Sequence, residues 1–188
     1  MSSVDLVYSN DTCSAFLAAI VRSFEQNHPC GYLGRTAVQK LTYFSKVMGV
    51  PIPCSFGIYT YGPYSDTVAF GMESLMADDV VVDRSSKTEY SNYRLGPNAT
   101  DLLNAYDRDI RPFTATIDRV VKAIGGFKPQ ELELIATLHF IAQRRRQVYR
   151  REPGKPEIVS EFTSIKGAKF TAETISTWHD ALKTAGLI

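Results

Sequence analysis

Apolar residues recur at helical spacing along most of the chain. Phe16, Leu17, Ile20, Val21 and Phe24 predict an amphipathic helix over about 12–27. Pro29-Cys30-Gly31 ends it. Thr36-x-x-Gln39 has capping-box spacing, and Val38, Leu41, Phe44 and Met48 then line one face up to Gly49, a suitable residue for a left-handed helix stop. Pro51 and Pro53 block continuation. Residues 56–61 are aromatic and β-branched and predict a strand, with Gly62-Pro63 turning the chain. Val68, Met72, Leu75 and Met76 mark a third helix at about 65–78. Val80-Val81-Val82 and residues 90–95 flank Arg84-Ser-Ser-Lys87 as a β-hairpin.

The second half is helical by pattern. Leu102, Leu103, Tyr106 and Ile110 start a helix near Ala99, Pro112 kinks or breaks it, and Ile117, Val120, Val121 and Ile124 carry the apolar face on to Gly125-Gly126. Pro129 suits a first helical turn, and Leu132, Ile135, Leu138 and Ala142 form a core stripe. Residues 150–157 give the strongest loop signal, followed by a short helix near 157–165. A last helix starts at a Thr171 cap, with Phe170 and Ile175 at staple positions, and turns Ile175, Trp178 and Leu182 inward before Gly186. The expected fold is mainly α, of the α+β class. It is a single compact domain over 1–188. A winged-helix-like half (1–96) with a small antiparallel sheet packs against a helical half (97–188).

Composition changes this picture little. The chain has 188 residues, 44% of them hydrophobic, and a formal charge of +1. That is a globular composition with no global attraction to nucleic acid or anionic membrane. Three cysteines (Cys13, Cys30, Cys54) without CxxC spacing argue against a disulfide framework or zinc knuckle and fit a reducing, cytoplasmic setting. The longest apolar run, 15–21, is far short of a membrane span of about 20 residues.

The stretch Leu33-Gly-Arg-Thr-Ala-Val-Gln-Lys-Leu-Thr-Tyr-Phe44, followed by Tyr59-Thr-Tyr-Gly-Pro-Tyr-Ser65, resembles the Panacea (SocA-like) antitoxin domain and the related YwgA-like uncharacterised proteins. The resemblance covers about 33–95. It implies a helical, toxin-neutralising protein of bacteria or their mobile elements, with no toxin identity carried over. Lys40, Tyr43, Tyr59, Tyr61, Gly62, Pro63, Tyr64 and Ser65 are the candidate partner-binding residues on this side. The alternative is that the aromatics are core and rim packing and Gly62-Pro63 a plain turn. Lys40 is expected to point outward or to pair with an acid.

Charge is uneven along the chain. Residues 1–94 carry net −2, and the third helix region holds Asp66, Glu73, Asp78 and Asp79 with no Lys or Arg. That composition disfavours insertion of this helix into a DNA groove. The second half carries net +3, with Arg144, Arg145, Arg146, Arg150 and Arg151 clustered beside Tyr149. The cluster reads as a solvated helix end, or as a patch for acidic protein or nucleic acid. A nucleic-acid-binding regulator using that patch, and a structural or assembly protein of a mobile element, are the alternatives to the antitoxin reading. His28, His139 and His179 lie in no ligand pattern, and GxSxG, P-loop and HExxH motifs are absent. The expectation is no enzyme, no metal and no cofactor.

Overall fold

The computed structural model describes residues 7–86 and 90–188. It is mainly helical with two small antiparallel sheets, an α+β fold. The elements in order are α1 (Thr12–Asn27), α2 (Arg35–Val47), β1 (Gly57–Tyr59), β2 (Gly62–Tyr64), α3 (Asp66–Ala77), β3 (Val81–Asp83) and β4 (Tyr93–Leu95). There follow α4 (Ala99–Ala105), α5 (Asp107–Ile110), a 3-10 turn at Arg111–Phe113, α6 (Thr114–Ile124), α7 (Pro129–Tyr149), α8 (Lys155–Lys166), a 3-10 turn at Gly167–Lys169 and α9 (Ala172–Thr184). Gly62-Pro63 is more than a turn: it opens β2, which pairs with β1. β3 and β4 pair separately, Val81 opposite Leu95 and Asp83 opposite Tyr93, so the sheet takes the form of two hairpins. Lys87, expected in the turn between β3 and β4, lies outside the described residues. No helix among the described residues is long and apolar enough to cross a membrane.

Contacts group the chain into two units, Met1–Phe56 with Tyr64–Phe127, and Gly57–Pro63 with Lys128–Ile188. The division falls after Phe127 because α4 and α6 pack on α1, and α6 also packs on α2.

In the first unit α1 is the central element, buried from Cys13 to Val21 and again at Phe24. Asp11 caps it, accepting from the Ser14 N–H at 2.9 Å. A Cβ on Gly71 would stand 2.7 Å from Leu17 Cδ1, so α3 approaches α1 closely there and a larger residue would require the Leu17 side chain to shift. The capping box expected at Thr36 and Gln39 does not form: α2 starts two residues earlier, with Gly34 as N-cap. Gln39 is buried and bonds backbone instead. Its amide nitrogen donates to Ser65 O at 3.0 Å and its oxygen accepts from Ser65 N at 2.9 Å. One side chain thereby satisfies both main-chain groups of the residue that precedes α3, where buried backbone polar groups need partners. Gly49 stops α2 at φ +95, as its position predicts. Gly96 abuts the Asp79 carbonyl so closely that a Cβ would lie 2.1 Å from the oxygen.

In the second unit α7 begins with Pro129, and the Glu131 carboxylate accepts from the Lys128 N–H at 2.7 Å. Leu132, Ile135, Leu138 and Ala142 are buried, as the periodicity requires. Thr171 caps α9 by accepting from Thr174 N at 3.2 Å. Ile175 and Leu182 are buried, Trp178 is half-buried, and His179 joins the core.

Candidate functional site

The YTYGPYS motif divides by burial. Gly62, Pro63 and Ser65 are buried, whereas Tyr59 and Tyr61 are 55% and 59% exposed. The buried members set the hairpin and do not offer a contact surface. Gly62 has φ +85, a left-handed geometry that glycine adopts without strain. Tyr64 is half-buried at the start of the first unit's second segment. Tyr43 is core: its ring meets Phe44 and Phe56 edge-on at 5.2 Å each, and burial pushes its phenol up from the ordinary value. Lys40 is 1% exposed and does not project to solvent, because nearly the whole circumference of α2 from Ala37 to Ser45 is buried.

The hairpin tip is held by a charge cluster that the sequence did not advertise. Glu133, 2% exposed on α7, pairs with Lys166 at 2.9 Å and Lys169 at 2.7 Å. The Lys166 ammonium also donates to the Thr60 carbonyl at 2.5 Å. Lys169, whose side chain is 39% exposed, sits 5.1 Å from the centre of the Tyr61 ring and 5.7 Å from that of Phe170. Two ammonium groups thus face one carboxylate, leaving positive charge beside an exposed tyrosine. The available sequence signal was an acid, Glu133, set inside the apolar run Leu132, Leu134, Ile135.

The arginine cluster is largely paired within the second unit. Arg144 and Arg145 bind Glu161, Arg145 at 2.6 Å through Nε. Arg146 grips Glu152 with two bonds of 2.7 Å, and Arg151 binds Glu157 at 2.5 Å and 2.8 Å. Glu157 is held down to about 2, first by the Arg151 hydrogen bond and then by the Gly154 N–H. Arg150, which ends α7 in a left-handed conformation at φ 53, has no carboxylate partner among the described residues. Tyr149 is exposed, with the Arg145 and Arg151 guanidinium carbons 5.4 and 5.9 Å from its ring centre. A phosphate arriving here would have to displace Glu157 or Glu161 from arginines they already occupy.

The buried imidazole of His139, the His28 ring and the buried thiols of Cys13 and Cys54 are structural in their surroundings, whereas Cys30 is exposed. His139 is fully buried, with Gln143 Nε2 at 3.3 Å, and burial, then Arg146, lowers it to about 4. His28 Nε2 lies 3.0 Å from Val121 O at the end of α6. Burial pushes the Cys13 thiol up to about 12, and the Cys54 thiol up as well, away from reactivity. Among the described residues no group of three or more His, Cys, Asp or Glu side chains could hold a metal ion.

No family model matches the chain. Over 109 residues, 57% of this chain, it is 29% identical to a protein of Thermus aquaticus named DNA ADP-ribosyl glycohydrolase, and the match spans 30% of that protein's length. This similarity corrects the expectation that the chain stands apart from enzymes. Local motifs such as GxSxG or HExxH reveal only sites written in contiguous residues; a relation spread thinly over a hundred positions escapes them.

Proposed function

We propose that this chain is a partner-binding module of the antitoxin kind, which holds a toxin or other protein partner at the exposed tip of the β1–β2 hairpin. The supporting observation is the division of labour in YTYGPYS: buried Gly62 and Pro63 fix the hairpin while Tyr59 and Tyr61 are exposed, Tyr61 beside Lys169. Tyrosines rich in apolar area, set next to a partly exposed cation, are the composition of interface hot spots. The Panacea-like motifs support a bacterial, cytoplasmic setting. The test is affinity co-purification from the native host at low and moderate salt, with Tyr61→Ala in parallel. A stoichiometric protein lost from the Tyr61→Ala eluate, at unchanged melting temperature, supports the reading. Equal recovery by both chains defeats it.

A second reading rests on the glycohydrolase similarity: the chain takes part in removing ADP-ribose from DNA. Incubation of the purified chain with an ADP-ribosylated single-stranded oligonucleotide, read as free ADP-ribose by mass spectrometry, tests it. Release supports this reading, and its absence removes it.

A further inference from the structure

We infer that the cleft between α2 and α3 in the first unit is a binding site for a free α-amino acid with an apolar side chain. The cleft has a volume of about 210 Å³. Val38, Val68 and Met72 give it a buried apolar floor. Arg35 and Glu73, both exposed, line the same cleft. Neither makes an ion pair among the described residues. Arg35 is aimed rather than loose: its Nε donates to the buried Ser91 Oγ at 3.1 Å, leaving the two terminal nitrogens of the fork for a ligand.

A guanidinium fork fits a carboxylate with two parallel bonds. A carboxylate lining the same cleft fits an ammonium. Two uncompensated charges of opposite sign over an apolar floor select a ligand that carries both charges and an apolar body. An apolar α-amino acid is the smallest molecule of that description. Size points the same way. At about 210 Å³ the cleft lies below the roughly 300 Å³ at which small-molecule sites usually begin, which suits a small ligand. The site also gives Gln39 and Tyr64, members of the two sequence motifs, a shared location, since both line it. It stands independently of partner binding at the hairpin tip.

The experiment uses the whole chain labelled with ¹³C at its methionine methyls, titrated with L-methionine, L-leucine and L-phenylalanine. Saturable shifts at Met72 and Met76, with Met48 unmoved, are expected at dissociation constants on the order of 1 mM. N-acetyl-methionine lacks the ammonium and methionine methyl ester lacks the carboxylate; each should bind about tenfold more weakly, as should the Arg35→Gln and Glu73→Gln variants toward the free amino acid. Both substitutions are at exposed positions, and an unchanged methionine-methyl spectrum without ligand verifies their folding. Absence of saturable shifts up to roughly 20 mM overturns the proposal. Equal binding of the blocked derivatives overturns it too.

Discussion

Replacing Glu133 by Ala would remove the carboxylate that faces Lys166, whose side chain is only 3% exposed. An ammonium left buried without its counter-ion costs about 3–5 kcal/mol. The Thr60 carbonyl still accepts from Lys166, which offsets part of the loss, so the lower end, about 3 kcal/mol, is expected. Lys169 contributes little to the penalty because water reaches it. Lys166→Met should cost less than Glu133→Ala, since Lys169 remains to hold Glu133. The double variant Glu133→Leu with Lys166→Met should recover most of the loss, because a well-packed apolar pair has no ions to desolvate. The cycle of Glu133→Leu, Lys166→Met and their double variant therefore predicts coupling of about 2 kcal/mol. Urea unfolding followed by the fluorescence of Trp178 reads the second unit selectively, since it is the chain's single tryptophan and lies in α9. Hydrogen exchange of the 57–62 amides reads the hairpin. A loss below about 1 kcal/mol for Glu133→Ala, or strict additivity in the cycle, would refute the reasoning.

Two further outcomes follow from the packing and the buried imidazole. His139 is lowered to about 4, so between its ordinary value near 6.5 and 4 the unfolded chain binds the extra proton. Stability should fall as pH drops through that window, by at most about 3 kcal/mol, and His139→Gln should flatten this part of the pH–stability curve; a parallel curve would sink the assignment. Gly96→Ala would drive a methyl to 2.1 Å from the Asp79 carbonyl oxygen, where backbone and not a flexible side chain must give way. A loss of about 3 kcal/mol or more in thermal unfolding is expected, and a silent substitution would show that the Asp79 turn is free to shift.

Elements with their own periodicity were legible. The helix predicted over 12–27 is Thr12–Asn27, and the Thr171 cap stands where the spacing put it. Interactions between distant segments were not. Gln39 looked like the far half of a capping box because nothing in the sequence announces Ser65 as its partner. The pairing of Lys166 and Lys169 had no signal of its own, since it depends on where α7 carries Glu133. The arginine run showed its charge but not its pairing, because the carboxylates that occupy it come from the following loop and α8. The tyrosines illustrate the same limit: Tyr43 and Tyr61 share a residue type and a motif neighbourhood, yet one is core and the other surface.

The membership of Gly57–Pro63 in the second unit has a consequence for biosynthesis. The Thr60 carbonyl waits for Lys166, 106 positions further on, so the hairpin tip is fastened only after α8 has been made. Closing a loop of that length carries an entropic cost that grows only logarithmically with length, so the delay is the larger effect. On the ribosome the YTYGPYS segment therefore emerges with its clamp still unsynthesised. The end of α8 and the turn after it act as the latch that fixes the hairpin tip.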